Sequence, residues 1–192
     1  MKSISYSAIV VFISALLLSF TAGCKKQQPE KQPPAEPAKK IKVYTTIYPV
    51  YDFTVKVGGE KAEVISMVPP GGEPHEWEPK PRDLAGLGEA DVLIYCGAGM
   101  EPWIDKALKN ISVPVVVDAS QGVELLEESQ GHDHDHGHGG ENNQKVENVD
   151  PHIWLDPVNA AVIVDNIMQG LCQASPQNAA YFQANARRYK AK

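Results

Sequence analysis

The chain has 192 residues, with 18 Lys and Arg against 24 Asp and Glu, and its formal net charge is −6 at pH 7. An acidic chain without a basic stripe is poorly suited to nucleic acid, so no nucleic-acid partner is expected. Loss of residues 1–23 would remove one lysine and leave 17 − 24 = −7, a charge mildly suited to a cationic ligand.

Residues 1–23 have the pattern of an export signal. A lysine at position 2 precedes the apolar stretch AIVVFISALLLSF at 8–20, which is shorter than the roughly 20 residues of a membrane-spanning helix. The following TAGC resembles a bacterial lipobox, in which the cysteine is acylated, although Thr21 replaces the usual leucine. We therefore expect export, and anchoring to the extracytoplasmic face of a bacterial membrane by lipid on Cys24. A non-acylated signal is the alternative.

Three further segments follow from composition. Residues 24–40 are predicted to form a Pro-rich tether, because KKQQPEKQPPAEPAKK has no large apolar residue and cannot bury enough surface to fold. The remaining roughly 150 residues suffice for one domain, and 41–174 are assigned to an α/β lobe. Within it, residues 120–149 are acidic and rich in Gly and His, which predicts an inserted loop.

The lobe alternates predicted strands with predicted helices. Apolar runs predict strands at 41–47, 62–68, 90–97 and 113–119. Helical spacing, caps and Gly or Pro signals predict helices at 48–59, 81–88, 101–110, 156–172 and 175–192. This alternation is typical of a parallel sheet, in which ligands bind beyond the carboxyl ends of the strands. The loop at 71–81 follows the second strand and is expected at that edge. Cys96 and Cys172 are expected to pack as small apolar side chains rather than to pair.

Two similar segments carry isolated histidines. GGEPHEWEP places prolines on both sides of His75 and a tryptophan two residues later, and DPHIWLDP repeats the Pro-His-x-Trp arrangement around His152. Neutral imidazole is the commonest metal-ligating side chain, and nearby carboxylates can orient the ring. The pattern predicts His75 and His152 as metal ligands, Glu73 as an auxiliary ligand, and Trp77 as a shield of His75 from water.

The remaining histidines alternate with Asp or Gly in GHDHDHGHGG at 131–140, and they are His132, His134, His136 and His138. Ordering a glycine-rich backbone costs about 1–2 kcal/mol per residue. The four imidazoles are therefore expected to bind metal weakly in many overlapping arrangements. Such binding favours capture and relay of metal over tight binding. An expendable polar loop is the alternative.

PHEWEP, YCGAGMEPWIDK and DPHIWLDP together resemble the cluster of metal-binding solute-binding lipoproteins that serve ABC importers for zinc and manganese. The resemblance covers about residues 41–192 and is closest to the zinc-uptake members. It implies two α/β lobes joined by a long helix, with the metal between them. His75 and His152 would be the ligands from the first lobe, and 175–192 would begin the interlobe helix, with the second lobe absent.

The same resemblance implies capture of Zn²⁺ for delivery to an ABC-transporter membrane permease. A histidine-rich loop is typical of the zinc-selective members, and imidazole also favours zinc over Mn²⁺, which prefers oxygen ligands. A four-coordinate zinc site would need two ligands beyond the histidine pair.

Three alternatives stay open at this point. The chain could be a manganese receptor of the same family, or a surface zinc scavenger or adhesin that works through its histidine-rich loop. It could also be a zinc hydrolase with Glu73 or Glu76 as general base. No HExxH spacing and no nucleophile elbow are present, so no enzymatic activity is expected.

Overall fold

The computed structural model describes residues 39–126 and 149–192. Within these ranges, four parallel strands form one sheet in the order β2-β1-β3-β4. The strands are β1 (Ile41–Thr45), β2 (Ala62–Ser66), β3 (Val92–Tyr95) and β4 (Val115–Asp118). The helices are α1 (Tyr48–Gly58), α2 (Pro81–Leu87), α3 (Ile104–Leu108), α4 (Pro157–Ala174) and α5 (Ala179–Lys190). The predicted α/β fold, a parallel sheet flanked by helices, is confirmed.

Helices cover both faces of the sheet, and each face has its own apolar core. Alternate strand residues point to opposite faces, so Val92 and Ile94 join one core while Leu93 joins the other. The first core also contains buried side chains of α1, α4 and α5, including Val50, Val57, Ile163, Ile167, Leu171 and Phe182. The second core contains Leu87 of α2, Ile104 and Ala107 of α3, and Trp103, which precedes α3. Strands covered on both sides explain the continuous apolar runs in the sequence.

The strands are shorter than predicted. β1 ends at Thr45, yet Ile47 beyond it is only 1% exposed, because the chain turns into α1 while still packing on the core. β2 ends at Ser66, although the N–H of Val68 still donates to the carbonyl of Thr46 at 3.1 Å. Apolar runs therefore overestimate strands whose ends turn into buried loops, and β3 and β4 are shortened in the same way.

The N-terminus of α4 is built as the sequence predicts. The Asp156 side chain accepts hydrogen bonds from the backbone N–H groups of Val158 at 2.7 Å and Asn159 at 2.9 Å. Pro157 occupies the first helical position, where no N–H partner is needed. Similarly, α1 ends at Gly58, and Gly59 follows with a φ of 51°, the left-handed conformation that ends many helices.

Two predicted helix starts are wrong. The helix expected from Ser175 begins at Ala179, after a 3₁₀ turn at Pro176–Asn178. The buried Ser175 hydroxyl accepts a hydrogen bond from the Asn178 side chain at 2.8 Å and caps no backbone N–H. The helix expected at 101–110 is confined to Ile104–Leu108, because the preceding residues form a turn.

Two further properties concern the part of the chain that the structure describes. No helix in it combines the length and the apolarity needed to cross a bilayer. Cys96 is buried in the first core and the half-buried Cys172 packs against it, so the expectation that they pack as small apolar side chains is confirmed.

Candidate metal centre

His75 and His152 face each other in segments that leave the sheet near the carboxyl ends of β2 and β3, respectively. His75 lies in the loop between β2 and α2, and His152 lies just before α4. Their Nε2 atoms are 3.4 Å apart although 77 residues separate them in sequence. The ring centroids are 5.3 Å apart and the ring planes are inclined by 57°. The structure thus brings together the two isolated histidines, and both are exposed to solvent.

The separation of the two nitrogens suits a shared metal ion. Two nitrogens that each lie about 2.0–2.1 Å from one zinc, at a tetrahedral angle, are about 3.3–3.4 Å apart. The observed Nε2–Nε2 distance is 3.4 Å. A direct hydrogen bond between the rings would be shorter, typically about 2.9–3.0 Å for an N–H donor. The pair therefore has the spacing of one edge of a tetrahedral zinc shell.

Asp150 orients the ring of His152. Its Oδ1 atom accepts hydrogen bonds from the His152 Nδ1 at 2.7 Å and from the His152 backbone N–H at 2.9 Å. The hydrogen bond from the backbone N–H, followed by that from the ring, holds the pKa of the Asp150 carboxyl below its usual value. With Nδ1 donating, the Nε2 of a neutral imidazole has a free lone pair directed at His75. The acid two residues before the histidine was the sequence signal for this role, but the sequence alone did not assign it.

Aromatic packing differs between the two histidine segments. Trp154 packs edge-on against His152, with centroids 5.3 Å apart. Trp77 instead packs edge-on against Trp103, with centroids 5.5 Å apart, and His75 stays exposed. The expectation that Trp77 shields His75 is therefore wrong, because Trp77 anchors the loop to the core.

In this structure the Glu73 carboxylate contacts the backbone of His75. Its Oε1 accepts a hydrogen bond from the backbone N–H of His75 at 3.3 Å. Across the two described ranges, no group of three His, Cys, Asp or Glu side chains is arranged to hold a metal. Within these ranges, His75 and His152 therefore form a pair of converging ring nitrogens without a third donor side chain. Several predicted residues lie outside the described ranges, namely Cys24, His132, His134, His136 and His138.

Carboxylates line the surface next to the pair. A cavity of about 310 Å³ lies beside His152, and its lining includes Glu124, Asp150 and Asp156. Three acidic side chains around one opening produce a negative potential that attracts cations. The negative charge next to the pair and the imidazole side chains of the pair therefore both favour a cation.

The fold, with two imidazoles paired at the carboxyl edge of its sheet, is that of a lobe of a solute-binding protein. The chain belongs to the ZnuA family, described as zinc-uptake complex component A, periplasmic, whose profile matches residues 43–192. This finding confirms the resemblance stated from the sequence. The family consists of binding components for zinc uptake, in agreement with the expectation that the chain is not an enzyme.

Relatives and solved structures agree with this membership. The chain is 36% identical over 185 residues to the high-affinity zinc uptake system protein ZnuA of Bacillus subtilis, a match that covers 95% of this chain and 57% of that protein. It is 34% identical to the zinc-binding lipoprotein AdcA of Streptococcus pneumoniae, over 94% of this chain and 35% of that protein. The Zn(II)-bound ZnuA-like domain of S. pneumoniae AdcA matches with a TM-score of 0.66 and 32% identity, over 80% of this chain and 51% of that chain. The chain thus spans about half or less of the length of these proteins.

Proposed function

We propose that the chain captures Zn²⁺ at the extracytoplasmic face of a bacterial membrane for delivery to the permease of an ABC importer. The observation that carries the proposal is the 3.4 Å separation of the Nε2 atoms of His75 and His152, which fits two ligands of one tetrahedral zinc. The zinc-uptake family and the zinc-binding relatives support the choice of metal. The lipoprotein name of the pneumococcal relative supports anchoring through Cys24.

Each residue near the pair has a distinct role in this proposal. His75 and His152 ligate the metal through Nε2, and Asp150 holds the His152 ring in the ligating orientation. The nearby carboxylates raise the local concentration of cations. Zinc is preferred to manganese because both ligands are imidazoles, whereas manganese prefers oxygen.

The proposal keeps the predicted organisation of the chain. Residues 1–23 are the export signal, 24–40 the lipid-anchored tether and 41–174 the metal-binding lobe, and 175–192 begin the connection to a second lobe. The other ligands would come from that lobe, from water or from Glu73. The histidine-rich loop at 131–140 would collect zinc and pass it to the pair.

Zinc affinity, measured by competition with a chromophoric chelator, tests the proposal on three proteins. These are the full chain, the His75→Ala/His152→Ala variant and a variant lacking 131–140. We expect the full chain to bind one zinc most tightly, the double variant to lose that component and the deletion to keep it.

The opposite pattern would contradict the proposal. If the deletion abolishes tight binding while the double variant keeps it, the protein is a zinc scavenger that works through its histidine-rich loop. A preference for manganese over zinc at equal free metal would make it a manganese receptor.

A further inference from the structure

A buried hydrogen-bonded cluster, formed by Thr46, Cys96, Gly97 and Glu101, lies between the segments that carry the two histidines. The Glu101 carboxylate accepts hydrogen bonds from the Thr46 hydroxyl, from the Cys96 N–H at 2.9 Å and from the Gly97 N–H at 3.0 Å. Thr46 is 1%, Cys96 0% and Glu101 5% exposed. The cluster joins the carboxyl ends of β1 and β3, where the strand order of the sheet reverses.

One side of this cluster leads to His75. The carbonyl group of Thr46 accepts a hydrogen bond from the Val68 N–H at 3.1 Å, and the carbonyl group of Thr45 accepts one from the Met67 N–H at 2.8 Å. Val68 is the last buried residue before the loop that carries His75. The position of Thr46 therefore determines where this loop begins.

The other side leads to His152. The Cys96 thiol donates to the carbonyl oxygen of Pro151, with 3.9 Å between sulfur and oxygen. Ile153 is 5% exposed and packs in the same apolar core as Cys96. The backbone on both sides of His152 is therefore held against the end of β3.

Glu101 occupies a place where α/β sheets usually bind a ligand. Ligands of open parallel sheets bind where the strand order reverses, and converging backbone N–H groups there attract anions. Here the N–H groups of Cys96 and Gly97 point at an internal carboxylate instead. Burial raises the pKa of the Glu101 carboxyl, and the hydrogen bonds from the cluster oppose that rise. The Glu101 carboxylate thus takes the place of an external anion and connects the end of β1 to the end of β3.

We infer that Glu101 is a positioning residue for the histidine pair, because it holds Thr46 and Cys96 together and thereby sets the distance between His75 and His152. The inference rests on the proposed function, in which this pair ligates zinc. Without the carboxylate, the longer contact from the Cys96 N–H to the Thr46 hydroxyl, at 3.3 Å, and the β1–β3 ladder remain, and the two segments are held together less tightly. Zinc binding would then have to order the two segments, and this entropic cost would make zinc bind more weakly.

Two variants test this inference in the full chain. Glu101→Gln keeps the size of the side chain but replaces one acceptor oxygen by an NH₂ group, which cannot accept from the surrounding donors. Thr46→Val keeps the shape of the side chain and removes the hydroxyl donor. Phe182→Leu is the matched control, because Phe182 is a fully buried residue of α5 whose side chain forms no hydrogen bond.

Zinc affinity and thermal unfolding are measured for each variant. We expect both cluster variants to weaken the tight zinc component about tenfold or more, the lower end of the range for partners that support metal ligands. The effect should disappear in the His75→Ala/His152→Ala background. Phe182→Leu should lower the melting temperature and leave zinc affinity unchanged.

A second readout needs no metal. In the metal-free chain, the nuclear Overhauser effect between the imidazole ring protons of His75 and His152 reports their proximity. We expect this signal in the native chain and in Phe182→Leu, and its loss in Glu101→Gln and Thr46→Val. If both cluster variants keep the signal and native zinc affinity, Glu101 only stabilises the fold and the inference is overturned.

The two readouts separate the inference from the proposed function. If the native chain shows the imidazole contact but its tight zinc does not depend on the histidines, the proposed function fails. The imidazole contact then still tests the positioning role of Glu101. Loss of the contact in the cluster variants supports this role, and retention of the contact overturns it.

Discussion

Replacing Asp150 by alanine should weaken zinc binding chiefly because the His152 ring loses the partner that orients it. Asp150 Oδ1 lies 2.7 Å from the ring Nδ1 and 2.9 Å from the backbone nitrogen of His152. Without it, the half-exposed ring can rotate, and its Nε2 is no longer held 3.4 Å from the Nε2 of His75. Loss of such a partner typically costs about 10–100-fold in metal affinity. We expect a loss of that size in the tight zinc component, measured by chelator competition.

The stability of the metal-free chain should change little in Asp150→Ala. Both side chains are near half exposed, at 50% for Asp150 and 43% for His152, and exposed ion pairs contribute little to stability. Asp156→Ala is the matched control, because it removes another carboxylate of the same cavity together with the N-cap of α4, whose loss costs about 1 kcal/mol. That cost corresponds to a melting temperature lower by roughly 2–4 °C for a domain of this size.

The expected pattern is therefore reciprocal. Asp150→Ala should lose affinity and keep its melting temperature, whereas Asp156→Ala should lose melting temperature and keep most of its affinity. Native zinc affinity in Asp150→Ala would refute the orienting role.

Three further predictions concern the framework that carries the site. Gly97→Ala should lower the free energy of unfolding in denaturant titrations, because Gly97 has a φ of 79° and an added Cβ would lie 2.1 Å from Asp118 Oδ1. Gly170→Ala should destabilise α4, because its Cβ would lie 2.3 Å from a valine methyl of β4, which outweighs the gain of about 1 kcal/mol in helix propensity. Burial, aided by Asp118, raises the pKa of Tyr95 from 10.0 to about 12. The stability that this shift provides should be complete below pH 10.0 and be lost as the pH rises to about 12.

Each of these predictions has a control. Gly71→Ala shares the φ of 79° but places its Cβ in open space, so a loss as large as that of Gly97→Ala would contradict the steric reasoning. Shortening the facing valine in Val117→Ala should reduce the cost of Gly170→Ala. Tyr95→Phe should reduce the alkaline loss of stability, and phenolate absorbance should show the native Tyr95 ionising after exposed tyrosines.

Features that depend on neighbouring residues were predictable from the sequence. The Asp156-Pro157 pair predicted the start of α4, and Gly58-Gly59 predicted the end of α1, because caps and left-handed turns use groups within a few residues. The same local reasoning failed at Ser175, where a Ser-Pro signal also fits a 3₁₀ turn. The buried environment of Ser175 and its hydrogen bond from Asn178 distinguish the two.

By itself, the sequence determined the α/β class, the alternation of strands and helices, and the two Pro-His-x-Trp segments as candidate ligand carriers. The tertiary structure alone decided that the Nε2 atoms of His75 and His152 lie 3.4 Å apart, and that Glu101 connects Thr46 to Cys96. The physical reason is range. Hydrophobic periodicity, helix capping and turn chemistry depend on residues that are close in sequence. Parallel strands, in contrast, are connected by long crossovers, and their order in the sheet brings distant segments to one edge.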